Sequence, residues 1–318
     1  VHSKLDPTPF DPASVDAETA AINADIVARL SALPDKWDYP LPVIRENRKA
    51  GKGPFPIGPP SPRASVEHID GPTGKLALRI IAPDNPQGVY YHIHGGGWVL
   101  GAPDEQDERL ERMADACNLA VVSVDYRLAP EHPYPAAPDD CERAALWLVE
   151  NAKARFGTDH LTIGGESAGA HLAAVTLLRM RDRHGFSGFA AANLNCGCFD
   201  LALTPSVRRW GAEPLVLNTR DIEMFVHHFL SAGGDPGDPD ISPIHADLSG
   251  LPPALFTIGT RDPLLDDTLF MAQRWAYQGN HTELAVYPGG AHAFIAFPGT
   301  LAEEGLNRIH EFLNAQAG

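Results

Sequence analysis

What most limits the folds open to this chain is a rhythm that begins near residue 65. Short apolar runs alternate with longer stretches of helical spacing almost to the C-terminus. SVEHID (65–70) and KLALRIIA (75–82) flank a Gly-Pro-Thr-Gly turn and read as a hairpin. GVYYHIH (88–94), LAVVSV (119–124), HLTIGG (160–165), FAAANLN (189–195), ALFTIG (254–259) and TELAVY (282–287) are six further strand runs. LAVVSV lacks the alternation of a half-exposed strand, as a central parallel strand should. Helices are predicted over 104–117, 138–155, 169–183, 267–278 and 301–314. Such alternation predicts an α/β architecture, a mostly parallel eight-stranded sheet with helices on both faces.

Two segments stand outside the rhythm. Residues 14–33 place Ile22, Ile26, Val27 and Leu30 at helical spacing, and the Pro- and Gly-rich run GKGPFPIGPPSPR (51–63) reads as a boundary loop. The stretch 199–246 is long, rich in Gly, Pro and Asp, and holds one helix, DIEMFVHHFL (221–230). The expected organisation is therefore N-terminal cap helices in 1–50, a core in 51–198, a cap insertion in 199–246 and the rest of the core in 247–318. A length of 318 residues suits one large domain with such a cap.

Composition removes several function classes. Lys plus Arg is 25 against 41 for Asp plus Glu, a net charge of −16, which argues against nucleic acid or an anionic membrane as partner. No apolar stretch is long enough for a membrane span, so no stable membrane association is expected. The opening VHSKLDPTPFDP has no apolar core of a secretory signal. Cys117, Cys141, Cys196 and Cys198 fit neither a disulfide framework nor a zinc site, since two ligands in Cys196-Gly-Cys198 do not close a tetrahedron. A cytoplasmic location with reduced thiols, no metal and no cofactor is expected.

The chemistry concentrates at strand ends. Gly165-Glu166-Ser167-Ala168-Gly169 matches G-x-S-x-G between an apolar strand and an apolar helix. Glycines two residues either side of Ser167 permit a sharp, strained turn that exposes a nucleophilic serine. His94-Gly95-Gly96-Gly97-Trp98 follows a strand. Its glycines bring backbone N–H groups close to a substrate, so Gly96, Gly97 and Ala168 are the candidate oxyanion donors. His94, Gly95 and Glu166 are the supporting residues, with His94 bracing the loop through hydrogen bonds. His92 reads as a strand residue.

A serine alcohol needs a histidine base, and the base needs a carboxylate to orient it. Among the histidines after Ser167, only His292 follows a late strand closely, with Gly289 and Gly290 before it. His171 lies one helical turn beyond the serine and reads as packed. Asp262 follows the preceding strand and is preferred over Asp266 and Asp267, the latter reading as a helix cap or first-turn residue. Trp98, Phe199, Trp210 and Phe225 are candidate substrate-pocket walls, with ordinary core packing the alternative for each.

HGGGW (94–98), VDYRLAPEHPYPAAPDD (124–140), GESAG (165–169), DPLLDD (262–267) and GGAHAF (289–294) together resemble the bacterial hormone-sensitive-lipase family of esterases, family IV. The resemblance spans about 65–300. It implies an α/β-hydrolase core with a helical cap, a small-molecule ester as partner, hydrolysis of short- or medium-chain acyl esters, no cofactor and frequent homodimers. Members often carry Asp at position 166 and Gly at 170, where this chain has Glu166 and Ala170. The longer Glu166 is expected to alter contacts with neighbouring loops. Tyr126, Arg127 and Glu131 are expected to be structural. The same site chemistry extends to amides and lactones; some relatives of this fold with a degraded triad only bind small molecules, but here all three triad positions are filled, which argues against that reading.

Overall fold

The computed structural model describes residues 6–316, so 1–5 and 317–318 of the outer segments lie outside the described residues. The strands are β1 (Ser65–Gly71), β2 (Gly74–Ile81), β3 (Gly88–Ile93), β4 (Leu119–Val124), β5 (Leu161–Glu166), β6 (Phe189–Asn195), β7 (Ala254–Arg261) and β8 (Thr282–Ala291). They form one sheet in the order β1-β2-β4-β3-β5-β6-β7-β8. β1 and β2 pair antiparallel, as do β2 and β4, and every later pairing is parallel. This is the α/β-hydrolase architecture. β3, β4 and β5 are buried at every position, which explains why they are mostly apolar and lack the alternation of a half-exposed strand.

The helices are α1 (Ala17–Ser31), α2 (Leu41–Lys49), α3 (Asp107–Cys117), α4 (Ala136–Phe156), α5 (Ala168–His184), α6 (Pro205–Trp210), α7 (Thr219–Phe229), α8 (Leu265–Tyr277) and α9 (Thr300–Ala315). None of the described helices is long and apolar enough to cross a membrane. Local chemistry sets their ends. Asp16 caps α1 by accepting the Thr19 N–H at 2.8 Å, and Asn218 with Asp221 forms a reciprocal capping box on α7. α5 stops at Gly185, whose left-handed φ of 63° satisfies the last carbonyls.

The parallel strands all end on one edge, and that edge carries the loops of interest. Residues of 30–59 and 212–225 wall the cavity over it. Trp37 donates its indole N–H to Asp221 at 2.8 Å and packs edge-on against Phe225 at 5.0 Å. Arg45 of α2 bonds the carbonyls of Val99 at 2.8 Å and Ala129 at 2.6 Å, with Glu131 accepting from the same guanidinium. Arg179, only 3% exposed, binds Asp240 at 2.7 Å and Asp139 at 2.8 Å, which fastens the insertion to α4 and α5.

The last two strands run further than the sequence-based reading expects. β7 runs to Arg261 and β8 to Ala291, joined across a register shift between Gly259 and Arg261. The Pro-Gly-Gly run therefore continues the ladder, and His292 follows the strand directly. α2 and α6 carry prolines in their first turns, where the missing N–H costs no intrahelical bond.

Candidate active site

β5 delivers Ser167 and α5 starts at the next residue. Ser167 sits at φ 56° and ψ −122°, a strained position for a residue with a side chain. Its N–H donates to the Asn195 carbonyl at 2.9 Å, which pins the turn to β6. A Cβ on Gly165 would lie 2.1 Å from the Ile93 carbonyl oxygen, and one on Gly169 would lie 1.9 Å from the same atom. Strand, turn and helix can meet this closely only with glycine at both places. The N-terminus of α5, with its free N–H groups and positive dipole end, then lies beside the serine oxygen.

Asp262 and His292 follow β7 and β8 immediately, so they arrive at the same edge. His292 Nε2 is 2.9 Å from Ser167 Oγ. On the other side of the ring, His292 Nδ1 lies 2.9 Å from Asp262 Oδ2 and 3.1 Å from Oδ1. Asp262 also accepts the Leu264 N–H at 2.8 Å. Both are buried, at 1% exposure for Asp262 and 5% for His292. Burial alone would depress the imidazole pKa. The adjacent Asp262 carboxylate overrides it, and the His292 pKa stands well above the ordinary 6.5.

The glycine loop after β3 faces this serine because β3 pairs with β5. Among the described residues, the N–H groups of Gly96, Gly97 and Ala168 have no hydrogen-bond partner within the chain. Their surroundings are fixed. His94 bonds the Gly95 carbonyl through Nδ1 at 2.8 Å and stacks on Tyr126 at 4.2 Å, while the Tyr126 hydroxyl donates to the His94 carbonyl at 2.9 Å. Burial lowers the His94 pKa to about 4, so the ring is neutral. Glu166 accepts the Gly95 N–H at 2.7 Å and a bond from Gln106, with His92 and Arg109 each 3.3 Å away. The added length of Glu166 thus reaches across to neighbouring loops. Arg127 is structural too, bonding Asp140 at 2.8 Å.

A cavity of about 1190 Å³ opens above Ser167 and His292, walled by the N-terminal segment, the glycine loop and the 212–225 stretch. Trp98 and Phe225 line it. Trp98 is nevertheless 2% exposed, stacked on Phe229 at 4.7 Å, and donates its indole N–H to His171 Nδ1 at 3.0 Å. Two expected wall residues lie elsewhere. Phe199 is fully buried in the core against Phe256, because the backbone after β6 turns inward where Asp267 accepts its N–H. Trp210 faces Arg261 at 5.8 Å and donates its indole N–H to the Glu213 carbonyl, outside the cavity. Asp266 and Asp267 sit in the first turn of α8, with Asp267 holding the 199–204 loop instead of approaching His292.

Sequence reasoning passed over Cys196 and Asn23, and read His171 as packed without seeing what it holds. Cys196 lies beside Asp262 and His292. Asn23 of α1 donates to the Gly289 carbonyl at 2.7 Å and so braces the strand leading to His292. His171 ties Trp98 to the insertion through the Ile241 carbonyl at 2.8 Å. Only His171 carried a signal, its place one turn beyond Ser167. The other two depend on long-range contacts that no local pattern encodes.

A serine on a strand-to-helix elbow, linked through one imidazole to a buried carboxylate on the same sheet edge, defines an α/β-hydrolase. The family model described as alpha/beta hydrolase fold matches residues 90–296. The carboxylic ester hydrolase LipN of Mycobacterium tuberculosis is 34% identical over 251 residues, which is 74% of this chain and 66% of LipN. A solved hyperthermophilic esterase from the archaeon Pyrobaculum calidifontis superposes with a TM-score of 0.82 at 29% identity, covering 95% of this chain and 99% of that one. A hormone-sensitive lipase from a metagenome library gives 0.80 at 25% identity over 100% of both chains. The chain belongs to this hormone-sensitive-lipase-like family IV of carboxylic ester hydrolases.

Proposed function

We propose that the chain hydrolyses soluble short- to medium-chain acyl esters through an acyl-enzyme on Ser167. The observation that carries this reading is the continuous hydrogen-bonded line from Ser167 Oγ through His292 to Asp262, 2.9 Å at each contact. The ester carbonyl carbon lies against Ser167 Oγ, and its oxygen points at the N–H groups of Gly96, Gly97 and Ala168. His292 Nε2 takes the serine proton as the oxygen attacks. The negative charge that forms on the carbonyl oxygen is held by the three N–H donors, and losing one of them should cost about 3 kcal/mol in the barrier. His292 then gives the proton to the leaving alkoxide. Water enters, loses a proton to His292, attacks the acyl carbon and releases the acid, and Ser167 recovers its proton. Asp262 keeps Nδ1 protonated, so that Nε2 is free to accept.

In this reading residues 1–50 and 199–246 form the cap, and Trp98 and Phe225 are pocket walls. A cavity of about 1190 Å³ supports room for both acyl and alcohol portions. Four free, buried cysteines support a cytoplasmic protein. The open edge of β8, where Leu284 is exposed, and Tyr277 at 86% exposure support a homodimer, which light scattering would test. Hydrolysis of p-nitrophenyl acetate through decanoate, with Ser167→Ala beside the wild type, tests the activity. Turnover that vanishes in the variant is expected. A folded wild type that turns over none of these esters would overturn the reading.

A further inference from the structure

Cys196, Asp262 and His292 each offer one ligand atom, all three are buried, and the three atoms lie within 4.8 Å of one another. Local sequence pairs Cys196 with Cys198 and leaves two ligands. The fold supplies the others, because β6, β7 and β8 are adjacent and end at one edge. Cys196 is the first residue after β6, at a left-handed φ of 41°, and its N–H is held by the Thr257 carbonyl at 2.8 Å. It is therefore a fixed neighbour of the two residues. Thiolate, imidazole and carboxylate together form a donor set suited to borderline-soft divalent ions.

We propose that this trio is an inhibitory site for a thiophilic divalent cation such as Zn²⁺ or Cd²⁺. On the side facing Asp262 the imidazole presents Nδ1, so the cation takes the place of the proton shared there. One thiolate and one carboxylate cancel its two charges, and a neutral complex tolerates burial where a lone charge does not. The thiol proton is released to solvent. The imidazole proton moves from Nδ1 to Nε2, since neutral imidazole carries one proton and the metal now holds Nδ1. Nε2 then faces Ser167 Oγ as a donor and can no longer accept the serine proton. His292 lines the cavity, which is the route of entry. The site stands on its own geometry, whereas the inhibition rests on the role proposed above for His292.

The test has a binding arm and an activity arm. Ser167→Ala protein is titrated with CdCl₂ and the ultraviolet thiolate-to-metal absorption is followed. One equivalent per chain is expected, lost when Cys196→Ser or Cys196→Ala is added and kept when Cys198→Ser is added. Circular dichroism checks that each variant is folded. In wild type, ZnCl₂ should abolish ester hydrolysis and EDTA should restore it. Each Cys196 variant, measured against its own metal-free rate, should need at least about ten-fold more Zn²⁺ for half inhibition. Absorption that survives in both folded Cys196 variants, or equal Zn²⁺ sensitivity in them, would overturn the proposal. Cysteine-dependent Cd²⁺ binding in a protein that turns over no ester would leave the site standing and remove the esterase reading. Ester hydrolysis without that binding would do the reverse.

Discussion

Glu166 Oε1 accepts the N–H of Gly95 at 2.7 Å, so the residue before Ser167 holds the loop that carries the proposed oxyanion donors. Burial would raise the Glu166 pKa, but the neighbouring His92, Arg109 and Gln106 outweigh it and hold the carboxyl well below its ordinary 4.5. In Glu166→Gln the amide oxygen can keep the Gly95 and Gln106 bonds only by turning its NH₂, a donor, toward Arg109, and the negative charge that holds the cluster is gone. The loop loosens where charge develops, not where substrate first binds. We expect kcat to fall about 10–100-fold with KM changed less than three-fold, read from steady-state kinetics. The ion pairing also supplies stability that is present above the unfolded carboxyl pKa and is lost as pH falls. The Tm of Glu166→Gln should therefore drop most at neutral pH and approach wild type in acid.

With His292 as the proposed base, its raised pKa should set the acid limb of the pH profile. The base works only when unprotonated, so kcat/KM should fall as pH drops through a value above 6.5. Asp262→Asn removes the charge that raises it, leaving burial to pull the limb below the wild-type position. The amide also favours the wrong tautomer, and kcat should fall about 10⁴-fold. A limb that stayed in place in Asp262→Asn would mean that another group titrates.

Phe225 of α7 covers Gly97, one of the proposed oxyanion donors: a Cβ there would lie 2.3 Å from its ring. Phe225→Ala enlarges the cavity at that wall and removes the edge-on contact with Trp37. The preferred p-nitrophenyl ester should shift by two or more carbons toward longer acyl chains. Loss of a ring this buried should also cost about 3 kcal/mol of stability, visible in urea unfolding.

His171 explains why the glycine loop keeps its shape. Burial lowers its pKa to about 4, so a neutral ring accepts from Trp98 at Nδ1 and donates to the Ile241 carbonyl from Nε2–H. His171→Leu leaves a buried donor and a buried acceptor without partners, about 1–3 kcal/mol each. A lower Tm and a reduced kcat are expected. His171→Gln, able to accept and donate, should recover part of both.

The legible part of this molecule was what periodicity and strand ends encode. The eight strand runs and the placement of Ser167, Asp262 and His292 at strand ends could be read because buried parallel strands are apolar and their following loops share an edge. Whether Phe199 and Trp210 face a pocket or the core could not be read, because aromatic residues in a Gly- and Pro-rich stretch have no period to say which way they face. Cys196, Asn23 and Gln106 were invisible because their partners are distant in sequence: Asn23 meets Gly289 and Gln106 meets Glu166 only through the fold.

Asp267 offers a case in which an expected cap serves another purpose at a cost. It is fully buried, and burial raises its pKa from 3.8 to about 7 despite the bonds it accepts. Its Oδ1 takes the N–H groups of Phe199 at 2.8 Å and Asp200 at 2.9 Å, and its Oδ2 takes the Thr204 hydroxyl at 2.6 Å. Because the folded-state pKa lies above the unfolded one, the stability this carboxyl supplies is full below about 4. It declines as pH rises toward 7 and is then constant. Asparagine can keep the whole arrangement, its carbonyl accepting both N–H groups and its NH₂ donating to a rotated Thr204 hydroxyl. Asp267→Asn should therefore match wild type near pH 4, gain Tm steadily up to pH 7, and stay several degrees higher above it, as followed by thermal scans across that range. A variant less stable at every pH would show that the 199–204 loop needs the carboxylate charge itself.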